Sequence, residues 1–405
     1  MQSYSFPFIT LFSFLFGCNV LPFQKKENNQ DMLLAALGIL ANASDWVWDL
    51  PPGFPVPNVP SDNPMSKSKV ELGRHLFYEK SLSGNETMSC ASCHFQSLAF
   101  ADGKDFPTGI TSDAHPRNAQ HLSNVAYMPR LTWSNPKMTS LEIQARAPMF
   151  GESPIELGLS SNSFLDKLKS KSIYQTLFRN AFGNADAAVN EQNVRFALAS
   201  FQRSMISGNS KFDQYNFRNN KSALTASEIR GLNLFNGEVA ECFHCHGGFN
   251  FTDTSFHGGA TEEFFYHSNG IHNDAYYAGV PSNKRGLFDL TGVASDTGKF
   301  RAPSLRNIGV TYPYMHDGIF MCADANNPDK AAGAAAGKTK VDCARDALTQ
   351  VVDHYRSGGQ AHSAKDTTLI KTFTITNSQR DDMVNFLLAL TDEEFLTNPK
   401  FASPF

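Results

Sequence analysis

The 405-residue chain is long enough for two domains of ordinary size, each with its own hydrophobic core. Its net charge of −4 gives no basic footprint, so nucleic acid is excluded as an expected partner. Aromatic residues make up 12% of the composition, with phenylalanine at 34 positions, which is typical of a core rich in flat side chains.

The N-terminus contains one long apolar run, from Phe6 to Phe16, which is too short to cross a bilayer and typical of a signal peptide. It leads into Leu15-Phe16-Gly17-Cys18, which is similar to the lipobox of bacterial lipoproteins. No Lys or Arg precedes the run, however, and Phe16 is larger than the residue usual at that place. We therefore expect residues 1–18 to direct export to the periplasm, with a lipid on Cys18 as the only membrane attachment. A mis-assigned start codon and a buried Cys18 are the alternative.

Composition and periodicity divide the rest of the chain into three parts. Residues 19–66 are rich in Pro and predict an extended arm. Residues 67–215 predict a first domain, which closes with a helix over Glu191–Ile206, where apolar residues recur at helical spacing. Residues 216–405 predict a second domain. No stretch alternates convincingly as a strand would, so the expected fold is mostly α, with long loops and little β.

Capping patterns predict two helix starts in the second domain. Thr225 is followed three residues later by Glu228, which predicts a helix running through Phe235. Ser378 and Asp381 have the same spacing and predict a helix with one apolar face near the end of the chain.

Two CxxCH sequences indicate the chemistry of the protein. They are Cys90-Ala-Ser-Cys93-His94 and Cys242-Phe-His-Cys245-His246. In this pattern both thiols add to the vinyl groups of one haem, and the adjacent His binds its iron. A zinc knuckle would need a second Cys/His pair at each site, and a redox dithiol would not need the His twice. We therefore predict two covalently bound haem c groups.

A similar run precedes each motif, namely Gly73-Arg74-His75-Leu76-Phe77 and Gly231-Leu232-Asn233-Leu234-Phe235. An internal duplication of a haem-binding unit is the economical explanation, and it predicts two cytochrome-c-like haem domains.

Three of the seven cysteines lie outside these motifs. Cys18 is the candidate lipid site, and Cys322 and Cys343 flank an insert, residues 322–343, that is rich in Ala, Gly and Lys. An oxidising compartment favours a disulfide between these two cysteines, although sequence alone cannot test its geometry.

Further runs make residues 67–400 similar to the bacterial di-haem cytochrome c peroxidase/MauG superfamily. These runs are Leu72-Gly73-Arg74, Pro116-Arg117-Asn118, Phe300-Arg301-Ala302-Pro303-Ser304-Leu305-Arg306-Asn307 and Tyr312-Pro313-Tyr314-Met315-His316-Asp317-Gly318. The resemblance implies a two-haem enzyme that acts on hydrogen peroxide. How it acts depends on what fills the sixth coordination position of each iron.

At the C-terminal haem the peroxidases place a Met as the second axial ligand. The matching segment here is Val351-Val352-Asp353-His354-Tyr355, so the resemblance implies Tyr355 as the ligand, as in the MauG branch, with His354 as a rival. A neutral thioether favours Fe(II), whereas an anionic phenolate favours Fe(III) and higher states. A His/Tyr haem therefore suits the sharing of an oxidising equivalent.

At the N-terminal haem the resemblance implies an open distal side with Gln144 and Glu156 over it. A carboxylate there can take the first proton of peroxide and return it to the leaving oxygen. Glu156 lies two residues further along the chain than in the peroxidases, so Glu152 is a competing candidate. Many peroxidases block this haem with a His, but residues 102–115 offer only His115, at a different position. We expect a permanently five-coordinate iron and a structural His115.

The resemblance also implies a role for Trp133, which falls where the family has a Trp between the two haems. An indole at this position can relay a hole between the haems. The alternative is that Trp133 only packs against a haem. The family further places Ca²⁺ between the domains. The matching positions are Asn118, Thr311 and Pro313, the last two acting through backbone carbonyls.

Within the superfamily, other runs are most similar to the methanobactin-associated di-haem enzymes (MbnH type). Examples are Leu131-Thr132-Trp133-Ser134-Asn135-Pro136 and Met149-Phe150-Gly151-Glu152-Ser153-Pro154-Ile155-Glu156-Leu157. Those enzymes use peroxide to oxidise a Trp of an exported copper-binding partner protein. The resemblance therefore implies oxidation of a Trp or other aromatic residue in a partner protein, through a high-valent di-haem state. Two alternatives stay open: a di-haem peroxidase fed by a small redox protein, and a non-catalytic electron-transfer cytochrome.

Overall fold

The computed structural model describes residues 45–258, 265–322 and 338–405. The predicted signal peptide, Cys18, part of the arm and the interior of the insert lie outside the described residues. Within the described ranges the protein is helical, and β structure is confined to isolated bridges between single residues. The expectation of a mostly α fold with long loops is confirmed. None of the described helices is long and apolar enough to cross a membrane.

The α-helices are numbered here in chain order from α1 to α14. They are Lys67–Tyr78, Leu141–Gln144, Arg146–Phe150, Phe164–Ser170, Ser172–Phe182, Ala185–Ala188, Glu191–Arg203, Lys211–Phe217, Ala226–Phe235, Asp274–Gly279, Phe288–Thr291, Lys340–Arg356, Asn377–Leu388 and Glu393–Thr397. Short 3₁₀ helices lie at Lys80–Leu82, Cys90–Ser92, Gln96–Leu98, Val125–Tyr127, Cys242–His244, Ala294–Asp296 and Ile308–Val310.

Helix α1 leads into the first CxxCH and crosses α7 at very close range. Its start is capped by the Ser66 hydroxyl, which accepts the Lys69 N–H at 3.2 Å. At the crossing point, a Cβ on Gly73 would lie 1.9 Å from the carbonyl oxygen of Ala197. Only glycine lets the two helices approach this closely, so the glycine of the Leu72-Gly73-Arg74 run determines where α1 rests.

The second half repeats this arrangement with α9 and α13. Thr225 caps α9 in a capping box with Glu228, as predicted from the sequence. A Cβ on Gly231 would lie 2.0 Å from the carbonyl oxygen of Asp382 on α13, so this glycine has the same role as Gly73. The helix before each CxxCH therefore crosses a later helix at an equivalent glycine, which agrees with an internal duplication.

Two predicted helix boundaries need correction. Helix α13 begins at Asn377 and is capped by Thr376 and Gln379 rather than by Ser378 and Asp381, because the threonine completes a capping box two residues earlier. Helix α7 ends at Arg203, short of the predicted Ile206, because the chain tightens there into turns that close on Ser200 and Phe201.

The apolar side chains form two hydrophobic clusters. The first joins α1, α4, α5 and α7, and it also contains Phe395, Leu396 and Phe401 from the far end of the chain. The second joins α8, α9, α12 and α13. A disulfide between Cys322 and Cys343 fixes the start of α12 next to the second cluster, with 4.6 Å between the Cα atoms.

Candidate active site

The first CxxCH begins as a single 3₁₀ turn, Cys90–Ser92, capped by Ser89. The His94 ring follows this turn, and its Nδ1 lies 2.5 Å from the carbonyl oxygen of Phe100. Burial lowers the pKa of His94, so the ring is neutral. A neutral ring whose Nδ1–H donates to a main-chain carbonyl presents the Nε2 lone pair, which is the usual arrangement of a metal-binding His.

The second CxxCH has a similar geometry. Its 3₁₀ turn is Cys242–His244, and the Nδ1 of His246 lies 3.2 Å from the carbonyl oxygen of Phe251. Burial lowers the pKa of His246 as well. Both histidines therefore have Nε2 available as a ligand atom.

The thiols of these motifs do not behave as a redox dithiol would. Burial raises the pKa of Cys90 to about 12, that of Cys93 to about 11 and that of Cys242 to about 12. Reactive dithiols need a lowered thiol pKa, so this alternative loses its support.

A zinc site is also disfavoured at both motifs. Among the described residues, the Cys and His of neither CxxCH converge on a common point as zinc ligands must. One cluster does contain Cys245, together with Asp253 and His267, but it excludes the other two residues of the motif. The donor set fits two haem c groups better than it fits zinc.

A mostly apolar cavity lies beside the second CxxCH. Its lining includes the motif residues Cys242, Cys245 and His246, and the helices α9, α12 and α13 supply part of the apolar wall. Three other predicted residue sets line the same cavity: Tyr355, Trp133, and the candidate calcium ligands Asn118, Thr311 and Pro313.

Tyr355 and its rival His354 face different surroundings. The Tyr355 hydroxyl accepts a hydrogen bond from the Asn269 side-chain amide at 3.1 Å, and burial raises the pKa of this phenol. The Nε2 of His354 instead hydrogen-bonds the Asn269 carbonyl oxygen at 3.0 Å, and His354 is not among the cavity-lining residues. The geometry favours Tyr355 as the residue that faces a bound haem.

Met315 also lines this cavity close to Tyr355. Its sulfur lies 3.7 Å from the same Asn269 amide nitrogen that donates to the Tyr355 hydroxyl. The cavity therefore contains a thioether as well as a phenol. The segment Val351–Tyr355, from which the ligand was predicted, gave no indication of Met315.

Trp133 and Asn118 are directly connected at the edge of the cavity. The Trp133 side chain is only 8% exposed, and its Nε1–H donates to the Asn118 carbonyl oxygen at 2.8 Å. The Asn118 amide nitrogen donates to the Lys104 carbonyl oxygen at 2.6 Å, so its Oδ1 is the atom that can bind a cation. The oxygen donors fit Ca²⁺, a hard cation.

On the N-terminal side, Glu156 and Glu152 differ in their environment. Glu152 is exposed, whereas the Glu156 side chain is 40% exposed and burial of its remainder raises its pKa to about 7. A carboxyl that titrates near neutral pH suits a group that accepts and returns a proton. Gln144 is half-buried at the end of α2.

Several site residues had no local sequence signal. Asn269 contacts Tyr355 from 86 positions away, so no motif around either residue could reveal the pair. His267 lies between Asp253, at 2.6 Å, and Asp366, at 3.3 Å. Burial alone would lower the pKa of His267, but the hydrogen bond to Asp253 and the charge of that carboxylate raise it.

Comparison with known proteins agrees with this geometry. A family model described as di-haem cytochrome c peroxidase matches residues 67–222. Cytochrome-c peroxidase IdrP1 of Pseudomonas sp. (strain SCT) is 32% identical over 391 residues, covering 91% of this chain and 94% of that protein. The chain belongs to the di-haem cytochrome c peroxidase/MauG family. As a member it is an oxidoreductase of the peroxidase type, with two haems as its cofactors.

Both branches of the family are represented among the relatives. Methylamine utilization protein MauG of Methylorubrum extorquens is 32% identical over 334 residues, covering 82% of this chain and 81% of that protein. A solved structure described as a MauG-like protein associated with microbial copper homeostasis is 37% identical, with a TM-score of 0.78, and covers 89% of this chain and 99% of its own. The family predicted from the sequence is confirmed.

Two haems per chain are expected to be covalently attached, because both CxxCH motifs present the same donor geometry. A pyridine haemochrome assay against protein concentration should give two haems for the wild type. Replacing Cys90 and Cys93 together, or Cys242 and Cys245 together, should leave one. Haem that acid acetone extracts from the wild type would contradict covalent attachment.

Proposed function

We propose that this protein is a peroxide-dependent oxidase of the MauG/MbnH type, which oxidises a Trp or other aromatic residue of a partner protein. The observation that carries the proposal is the position of Tyr355, which lines the cavity of the second CxxCH, whereas His354 does not line it and is hydrogen-bonded to the Asn269 carbonyl oxygen. An anionic oxygen ligand favours oxidised iron, which suits an enzyme that oxidises a demanding substrate.

The two haems, when bound, would supply peroxide reduction and the storage of oxidising equivalents. The side chains around them would have distinct tasks. Glu156 would accept a proton from peroxide at a carboxylate oxygen and return it to the oxygen that leaves as water, with Gln144 orienting the peroxide. Trp133 would act as a relay residue for hole transfer between the two haem sites. Its hydrogen bond to Asn118 holds the indole in place.

A bound Ca²⁺ would hold together the segments that carry Asn118, Thr311 and Pro313, near Trp133. Asn118, Thr311 and Pro313 line the same cavity although they come from distant parts of the chain. A cation bound to their oxygens would hold the loop that positions Trp133 against the second half of the protein. Removal of Ca²⁺ would then disturb communication between the haems before it disturbs haem attachment.

A second candidate function is a hydrogen peroxide reductase that takes electrons from a small redox protein. The observation that favours it is Met315, whose sulfur shares the Asn269 amide with the Tyr355 hydroxyl. A Met315 thioether on the iron would raise the potential of that haem and make it an electron reservoir. The same side chains would then serve a different reaction.

The partner and its location follow from the proposed function. The substrate would be an exported protein with an oxidisable aromatic residue, and a copper-binding protein is the first to test, because the related solved structure is associated with copper homeostasis. We propose a periplasmic location, with Cys18 as a lipid anchor.

The proposal is tested by giving the two-haem protein peroxide and two alternative reductants. One is a reduced small cytochrome, and the other is an exported copper-binding protein that contains Trp. We expect slow oxidation of the cytochrome and a peroxide-dependent mass change at one aromatic residue of the second protein. Rapid cytochrome turnover with no modified residue would favour the peroxide reductase.

A further inference from the structure

His115 and Glu156 come from separate segments and meet near the first CxxCH. The Nε2 of His115 lies 3.7 Å from Oε1 of Glu156. The two segments are joined at the main chain as well, because the Ile110 N–H donates to the Glu156 carbonyl oxygen at 2.9 Å. The loop in which many related peroxidases carry a blocking His therefore packs directly against the glutamate.

The His115 ring is held so that Nε2 faces Glu156. The main-chain N–H of His115 donates to the Pro107 carbonyl oxygen at 2.7 Å. The Nδ1 of the ring lies 3.2 Å from the Arg117 N and 3.1 Å from the Arg117 carbonyl oxygen. When Nδ1 accepts the Arg117 N–H, the ring proton sits on Nε2 and points at the carboxylate.

We propose that His115 is a positioning residue for Glu156: its Nε2–H holds the carboxylate in the orientation and the anionic form in which it accepts a proton from peroxide. The inference deepens the proposed function, on which it rests. It revises the sequence-based expectation that His115 is only structural. The separation of 3.7 Å is slightly longer than a hydrogen bond, and catalytic hydrogen bonds often tighten only when substrate binds.

The charges around Glu156 give His115 this role. Among the described residues, His115 is the basic side chain within ion-pair distance of Glu156. The neighbouring titratable groups on the CxxCH segment are Cys90 and Cys93, which become uncharged thioethers once haem is attached. Asp113, on the His115 loop, is exposed. Burial lowers the pKa of His115, and the hydrogen bond with the Arg117 main chain opposes this while the Arg117 guanidinium adds to it.

A neutral donor at this place changes the pH range in which Glu156 is a base. Burial alone raises the pKa of Glu156 to about 7, so below that pH most molecules would carry a protonated carboxyl that cannot accept a proton. A hydrogen bond from Nε2–H favours the anion and moves the useful range to lower pH.

The experiment compares the two-haem wild type with His115→Leu, which removes the donor, and His115→Gln, which keeps an amide N–H. Stopped-flow mixing with hydrogen peroxide between pH 5 and pH 9 gives the rate. We expect the fall of the rate at low pH to have its midpoint about one pH unit higher in His115→Leu, so that this variant reacts about tenfold more slowly than the wild type at pH 5 and at close to the wild-type rate at pH 9. His115→Gln should restore most of the wild-type profile.

A second readout does not depend on activity. The infrared carbonyl band of protonated Glu156, assigned by its loss in Glu156→Gln, should titrate at higher pH in His115→Leu than in the wild type. Unchanged midpoints and unchanged rates would overturn the proposal. So would a change of the N-terminal haem from low spin to high spin in His115→Leu, because His115 would then be an iron ligand. If the infrared midpoint is higher in His115→Leu as expected, but the wild type does not react with peroxide, the proposed function is refuted and the pairing of His115 with Glu156 stands.

Discussion

Replacing Tyr355 by methionine is expected to raise the potential of the C-terminal haem and to abolish most partner oxidation. A neutral thioether stabilises the reduced iron, whereas an anionic oxygen stabilises the oxidised iron, so the potential should rise by on the order of 0.1 V or more. Oxidation of the partner should fall by more than about tenfold, because a haem whose phenolate ligand is replaced by a thioether loses its preference for oxidised states. Spectroelectrochemistry and the mass of the partner protein measure the two effects.

Three variants serve as controls for this result. Tyr215→Met changes a half-buried tyrosine on α8, outside the cavity, and should leave the potential unchanged. His354→Ala tests the rival ligand. Met315→Leu tests the thioether that shares the Asn269 amide, and it should have little effect on the potential if Tyr355 is the ligand. An intact potential and intact partner oxidation in Tyr355→Met, with a large change in His354→Ala, would assign the ligand to His354 and remove the main support of the proposed function.

Glu156→Gln should slow the reaction with peroxide by about 10²–10⁴-fold, which is the usual contribution of general acid–base catalysis. The amide keeps the shape of the side chain but cannot take a proton. In the wild type the rate should fall at low pH, because the carboxyl becomes protonated as the pH drops below its pKa, and this acid limb should vanish in the variant. Stopped-flow spectroscopy measures both the rate and its pH dependence.

Glu152→Gln is the matched control for Glu156→Gln, because it makes the same chemical change four positions away on an exposed side chain. It should leave the peroxide reaction unchanged. A normal rate in Glu156→Gln together with a slow rate in Glu152→Gln would transfer the acid–base role to Glu152.

The sequence predicted the parts of the site that depend on local spacing. CxxCH is a local motif, and the structure gives both copies a 3₁₀ turn and a His whose Nδ1 faces a main-chain carbonyl oxygen. The α9 cap was also predictable, because Thr225 and Glu228 are only three residues apart. The cap of α13 was wrongly predicted because Thr376 and Ser378 both match the pattern, and only the structure distinguishes them.

Contacts between distant segments could not be predicted in this way. The Asn269 amide reaches both Tyr355 and Met315, and His115 reaches Glu156, because loops without regular structure fold back on one another. Their courses depend on many individual main-chain hydrogen bonds rather than on a periodic pattern. His115 illustrates the difficulty: its place beside Glu156 depends on such contacts, so sequence position suggested only a structural residue.

The packing of residues 393–405 against the first CxxCH constrains the order of folding. Gln96, just after His94, donates to the carbonyl oxygens of Phe395 and Asn398, and the Tyr78 hydroxyl donates to that of Phe401. The first hydrophobic cluster therefore cannot close until a segment that follows the second CxxCH has packed against it. The two halves of the chain are thus coupled in folding, because the end of the second half completes the core beside the first motif.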